Sequence, residues 1–172
     1  MRWSSSARSH AGHVRSINED ACLEQSGRGL WAVADGMGGH ALGEFASRLA
    51  VHSLSDLPVA DKLDSLLAMA RQRLRDANRQ LRAEALRRDV TLIGTTIAAL
   101  LVSGRQAACL WAGDSRIYRQ RGGRLQQLTC DHSQVQAACA LHPAGADTTL
   151  DRPPPNVITR ALGAGDEIEL DS

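Results

Sequence analysis

The chain has 172 residues, 43% of them hydrophobic, with 20 basic and 19 acidic side chains and a formal net charge of +1. That length predicts a single domain, residues 1–172, able to bury roughly 70% of its unfolded surface. The hydrophobic content excludes disorder, and the balanced charge gives no field toward nucleic acid or a membrane, so neither is expected as a partner.

Residues 1–17 read as a polar lead-in to an edge strand. Ala21 to Glu24 and Leu30 to Ala34 flank the turn Ser26-Gly27-Arg28-Gly29 and predict a hairpin. From Ala41 to Leu54 the period becomes helical, with Leu42, Phe45, Ala46, Leu49 and Leu54 as the apolar stripe. Pro58 separates this helix from a longer one, Asp61 to Arg88, whose stripe is Leu63, Leu66, Leu67, Ala70, Leu74, Ala77 and Leu81. Its arginines read as a solvated face: aromatic side chains for stacking on bases are absent, and Asp76 and Glu84 interrupt the charge.

After Asp89 the period changes again. Leu92 to Val102, Gln106 to Ala112, Arg116 to Gln120 and Leu125 to Leu128 read as short strands joined by glycine turns. Gly122-Gly123 is a hairpin signal, and hairpin connections imply antiparallel pairing. Residues 131–142 predict a short helix, and residues 143–156, which hold all but one of the five prolines, an exposed loop or flap. Another strand begins at Glu169-Leu170-Asp171-Ser172.

The cysteines Cys22, Cys109, Cys130 and Cys139 form no CxxC pair, which excludes zinc-ribbon and thioredoxin-like motifs. They are expected to be reduced, small buried hydrophobes in a cytoplasmic protein. Met1 to Ile17 has no apolar core of a signal peptide. Ile97 to Val102, the longest clearly apolar run, is far too short to span a membrane.

Chemistry concentrates in three acidic turns. In Leu30-Trp31-Ala32-Val33-Ala34-Asp35-Gly36-Met37-Gly38-Gly39-His40 an apolar strand runs into a carboxylate and then a glycine turn. Gly113-Asp114-Ser115-Arg116 sits between two more strands, and Glu19-Asp20 precedes the first. Carboxylates beside bare backbone suit hard divalent cations, which take carboxylate and carbonyl oxygens rather than thiolates. Gly36-x-Gly38-x-x-Ala41 also fits a dinucleotide-binding fingerprint, but a second helix follows where a parallel strand with an acidic ribose ligand is required. Cys22 and Arg28 match the spacing of a thiol phosphatase loop, but no helix follows to lower the thiol pKa. His40 is either a proton donor to a leaving group or a helix-start residue bonded to the loop. His132 reads as a structural hydrogen-bonding residue. Asp114, taken alone, is equally a hairpin-turn residue.

Six segments in order carry a resemblance. They are Val14-Arg15-Ser16-Ile17-Asn18-Glu19-Asp20, Val33 to His40, Gly94-Thr95-Thr96, Ala112 to Tyr118, Leu128 to Ser133, and Ile158 to Gly163. Together they resemble the signatures of bacterial PP2C-type (PPM family) phosphatases, which remove phosphate from phosphoserine and phosphothreonine in proteins using Mn²⁺ or Mg²⁺. The resemblance implies an α+β fold, a β-sandwich of two antiparallel sheets flanked by helices (four layers, α-β-β-α). It also implies two metal ions, with a third, weaker site. Asp35 resembles the carboxylate that bridges the two metals, and Gly36 the residue whose carbonyl joins it. Glu19 and Asp20 resemble holders of metal-bound water, Arg15 the arginine that grips the substrate phosphate, and Asp114 a ligand of the third metal. The segment after His132 corresponds to a variable flap. Phosphorylated proteins are the implied partners of a monomer that opposes a serine/threonine kinase, including in secretion systems and cell-envelope control.

Two departures qualify this. Met37 stands where eukaryotic relatives carry a histidine proposed as general acid, which leaves His40 or a metal-bound water as proton donor. The family's late Ser-Asp-Gly and Asp-Asn motifs, each with a metal aspartate, do not occur. The expectation is therefore a domain incomplete at its C-terminus, with an exposed sheet edge and weakened metal affinity. The alternative is a catalytically dead pseudophosphatase that binds phosphoproteins.

Overall fold

A computed structural model describes residues 3–13, 16–39, 41–58, 60–141, 154 and 157–172. The first hairpin is β1 (Asp20–Gln25) and β2 (Leu30–Met37), joined by one 3-10 turn. Gly29 closes that turn at a φ of 66°, in the left-handed region where a glycine carries no side-chain penalty. Two helices follow, α1 (Ala41–Ser55) and α2 (Leu63–Arg87). The chain then returns to strands: β3 (Gly94–Thr95), β4 (Ile97–Ser103), β5 (Gln106–Ala112), β6 (Tyr118–Arg121) and β7 (Arg124–Gln127), before α3 (Gln134–Leu141).

The main sheet is antiparallel in the order β1-β2-β4-β5, with β3 paired to the end of β2. Register places Leu23, Ala32, Ala99 and Leu110 in one row and Ala21, Ala34 with Ala112 and Ile97 near the next. Cross-strand partners share a face, so these rows point together toward the helices. α1 covers β1 and β2 while α2 lies on β4 and β5. Leu54, Leu74, Leu81, Ile97, Leu101 and Leu110 are fully buried between the layers. Alternation leaves Asp20, Cys22, Glu24, Val33 and Asp35 on the opposite, exposed face. The second antiparallel sheet, among the described residues, is the β6–β7 hairpin, and all eight of its residues are exposed.

The fold class is that expected: α+β, with two antiparallel sheets and helices on a sheet face. Details differ. Residues 3–13 form no strand and lead into the edge strand β1, as read; Trp3 within them meets Trp31 edge-on, with ring centroids 6.1 Å apart. Phe45 is exposed rather than in the α1 stripe, and Arg88 lies over its ring; Gly43, Ala46, Ala50, Val51 and Leu54 form the buried side. The cysteines are free thiols, but Cys22, Cys130 and Cys139 are exposed and only Cys109 is half-buried. Cys22 falls on the open face of an edge strand. The predicted strand at 169–172 is a single bridge, Asp171 to Trp111. Most of the 143–156 loop lies outside the described residues. No helix among the described residues is long and apolar enough to cross a membrane.

Candidate active site

The β1–β2 register sets Asp20 directly opposite Asp35, at the end of the hairpin and on its exposed face. Like charges facing across a strand pair repel, so this placement suits a positive group lying against both carboxylates. Glu19 precedes β1, and its carbonyl accepts the Gly36 N–H at 3.2 Å. Gly36 is buried where α1 crosses the strand: a Cβ there would overlap the Gly43 carbonyl oxygen and lie 2.8 Å from the Glu19 carbonyl oxygen. Gly38 (φ 126°) and Gly39 (φ 84°) then turn the chain into the helix.

Asp35 is anchored through its backbone. Its N–H donates to Thr96 Oγ1 at 2.9 Å, and its carbonyl accepts from the Thr96 N–H and the Thr95 hydroxyl, each at 2.9 Å. Both threonines are fully buried. Thr96 Oγ1 also lies 2.7 Å from Ser115 Oγ, so one hydroxyl joins the Asp35 strand end to the turn that carries Asp114. Gly113 in that turn has a φ of 107°, and a Cβ on it would sit 2.6 Å from Thr96 Cγ2.

His132 clamps the same turn from the other side. Its Nδ1 accepts the Gly113 N–H at 3.1 Å and its own N–H donates to the Gly113 carbonyl at 3.0 Å. With Nδ1 accepting, the neutral ring carries its proton on Nε2, which reaches Asp171 Oδ2 at 3.2 Å. The ring stacks on Trp111 at 6.2 Å between centroids, and Trp111 Nε1 donates to the Cys130 carbonyl at 2.9 Å. Arg116 grips Asp131 through two nitrogens, Nε at 2.8 Å and Nη2 at 2.6 Å, and donates from Nη1 to the Tyr118 hydroxyl at 3.1 Å. The Asp131 carboxylate raises the Arg116 pKa above the ordinary arginine value.

Of the residues singled out in the sequence, the structure sets Asp20 opposite Asp35, bonds the Gly36 N–H to the Glu19 carbonyl, and ties the turn of the half-buried Asp114 to the Asp35 backbone through Thr96 and Ser115. Arg15 and His40 lie outside the described residues. Thr95, Thr96, Ser115 and Gly43 were not assigned roles from the sequence; a pair of threonines entering an otherwise aliphatic strand was the available signal. The oxygen donors are hard ones, as Mg²⁺ and Mn²⁺ require. Among the described residues no three His, Cys, Asp or Glu side chains gather to hold a metal ion. A cavity of about 740 Å³ lies elsewhere, in the seam between α2 and residues 166–171, lined by Arg71, Arg75, Arg79 and Glu169.

The profile of the protein phosphatase 2C family matches residues 8–140. The chain belongs to the protein phosphatase 2C family. A curated relative is the serine/threonine protein phosphatase PstP of Mycobacterium tuberculosis, 37% identical over 164 residues that make up 95% of this chain. The chain spans only 31% of that relative's length. Among solved structures, PppA, a key regulatory component of T6SS in Pseudomonas aeruginosa, is 46% identical with a TM-score of 0.85 over 95% of this chain and 67% of PppA. The catalytic domain of PstP in complex with two manganese ions is 34% identical, with a TM-score of 0.76 over 96% of this chain and 70% of that domain. The acidic turns of this protein phosphatase 2C chain thus belong to a fold that holds manganese in a relative.

Proposed function

We propose that this protein is a metal-dependent serine/threonine phosphatase that hydrolyses phosphoserine and phosphothreonine in proteins. The observation that carries the reading is the Asp20–Asp35 pair beside the Gly36 carbonyl in a protein phosphatase 2C fold. Asp35 and the Gly36 carbonyl are the residues that would hold two Mn²⁺ or Mg²⁺ ions, with Asp114 at a third, weaker site. When bound, such ions neutralise phosphate oxygens and acidify water.

The chain's own groups have these tasks. Asp20 and Glu19 accept hydrogen bonds from water and orient it for in-line attack on phosphorus. Arg15 forks two equatorial phosphate oxygens, a match to its planar donors, and stabilises the charge that builds there. His40 gives a proton to the departing serine or threonine oxygen. Thr95 and Thr96 hold the Asp35 peptide so that its carboxylate needs no reorganisation. Attack by water requires no phosphoenzyme. The substrates on this reading are phosphoproteins in the cytoplasm, made by a serine/threonine kinase that a monomeric phosphatase opposes. The likeness to PppA extends the proposal to secretion-system regulation.

A second reading is a phosphoprotein-binding module without turnover. It is favoured by the lack, among the described residues, of a three-acid metal cluster. Hydrolysis of a phosphothreonine peptide separates the two, run with Mn²⁺, with chelator and with Asp35→Asn. Turnover that requires both the metal and Asp35 supports the phosphatase. Peptide binding without turnover, in a chain that circular dichroism shows to be folded, supports the module.

A further inference from the structure

Gly43 is the third residue of α1 and is buried. A Cβ placed on it would overlap Glu19 Oε1 and lie 2.8 Å from Glu19 Cδ and 3.0 Å from the Gly36 carbonyl carbon. Across the same crossing, a Cβ on Gly36 would overlap the Gly43 carbonyl oxygen. Strand β2 and helix α1 therefore approach through two bare backbones, and the Glu19 carboxyl fills the space that a side chain at position 43 would occupy. Glycine is disfavoured in helices relative to alanine, so helix formation is not the reason for it here.

We propose that Gly43 is a positioning residue whose missing side chain is the seat of the Glu19 carboxylate. The seat holds that carboxylate at the crossing of α1 and β2, next to the Gly36 peptide. Its consequence for metal binding rests on the phosphatase reading; its geometry does not. A carboxylate held in place by packing needs no rearrangement when its partner arrives, and small displacements of such groups are costly. An alanine at 43 meets mainly the far end of a flexible side chain. It therefore moves Glu19 while leaving helix and strand together.

The test compares wild type, Gly43→Ala, Glu19→Asp and the double variant. Three readouts are used: thermal melting without metal, the Glu19 side-chain carboxyl ¹³C resonance without metal (assigned by its loss in Glu19→Asp), and Mn²⁺ titration calorimetry. Expected for Gly43→Ala are a melting temperature no lower than wild type, a displaced Glu19 resonance and Mn²⁺ affinity reduced at least tenfold. In the double variant the carboxylate is one methylene shorter and clears the new methyl, so part of the affinity lost in Gly43→Ala returns. An unmoved Glu19 resonance overturns the proposal, as does a large drop in melting temperature, which marks Gly43 as a packing residue. A displaced resonance with unchanged Mn²⁺ affinity overturns it too. A displaced resonance in a protein whose wild type binds no Mn²⁺ leaves the seat intact and overturns the phosphatase reading instead.

Discussion

Asp35 and Thr96 are bonded in both directions: the Asp35 N–H donates to Thr96 Oγ1 and the Thr96 N–H donates to the Asp35 carbonyl, each at 2.9 Å. Thr96 sits between β3 and β4, where the strand path shifts from the end of β2 to its middle. Its hydroxyl replaces the ladder bond that this shift would otherwise leave open, and passes the connection on to Ser115 at 2.7 Å.

Thr96→Val keeps the shape and removes that oxygen. The Asp35 N–H and the Ser115 hydroxyl each lose a partner, which costs about 1–3 kcal/mol for a buried donor. The variant is expected to unfold at lower urea and to hydrolyse a phosphothreonine peptide more slowly. Thr96→Ser retains the oxygen and is expected to restore most of both. Urea midpoints and initial rates on the two variants check this; equal behaviour of valine and serine at 96 contradicts it.

Cys109 is the half-buried thiol, and its burial pushes its pKa up. The thiolate is the reactive form, so both effects slow its alkylation. Iodoacetamide at pH 8 is expected to add rapidly to the exposed Cys22, Cys130 and Cys139, and slowly to Cys109 until the chain is unfolded in urea. Peptide mass spectrometry over time gives the four rates. Four equal rates would show that the β5 face does not shield Cys109.

Much of the fold could be read from period and punctuation. The first hairpin, both long helices and the later strands follow from alternation, helical stripes and glycine turns; the observed bounds shift by up to three residues, and the strand read over Leu92 to Val102 divides into β3 and β4. The acidic segments were legible because each is contiguous in sequence, although Asp20 and Asp35 lie within β1 and β2 rather than in turns. The supports of those segments were not legible, because they join residues far apart: Glu19 against Gly43, Thr96 with Ser115, His132 with Asp171. Nor does a helical stripe say which of its members faces a partner. Phe45 fits the apolar spacing of α1 but lies on its exposed side, under Arg88. Cysteine exposure failed for the same reason, since a hydrophobic residue type says nothing about which sheet face it occupies.

At the end of α2, Glu84 accepts from Arg87 Nε at 2.7 Å and also pairs with Arg88. Those two hydrogen bonds, Arg87 first, lower its pKa from 4.5 to about 2. A depressed folded-state pKa stabilises the fold above the unfolded value and loses that contribution as pH falls, here between 4.5 and about 2. The wild type is therefore expected to exceed Glu84→Gln in urea midpoint at pH 6, and the gap is expected to close by the bottom of that window. The pair is at the surface, so the gap is small and shrinks in high salt. A gap independent of pH would assign it to helix propensity rather than to the ion pairs.

Asn78 fixes the C-terminal segment from the middle of α2. It is 1% exposed, its Oδ1 accepts the Gly163 N–H at 2.6 Å, and its Nδ2 donates to the Gly165 carbonyl at 3.0 Å. Gly163 has a φ of 84°, and a Cβ there would overlap the Ile93 carbonyl oxygen, so the segment cannot slide to find other partners. Leu162, next to it, exchanges both backbone bonds with Thr95, the residue whose hydroxyl holds the Asp35 carbonyl. Asn78→Ala orphans one buried donor and one acceptor, an expected loss of about 2–4 kcal/mol. Because the bridge to Thr95 loosens, amide exchange is expected to quicken at Thr95 and Leu162 ahead of global unfolding, while the α2 amides near 70–74 keep their protection. Exchange measured by mass spectrometry distinguishes this from uniform destabilisation, in which all of these amides speed up together.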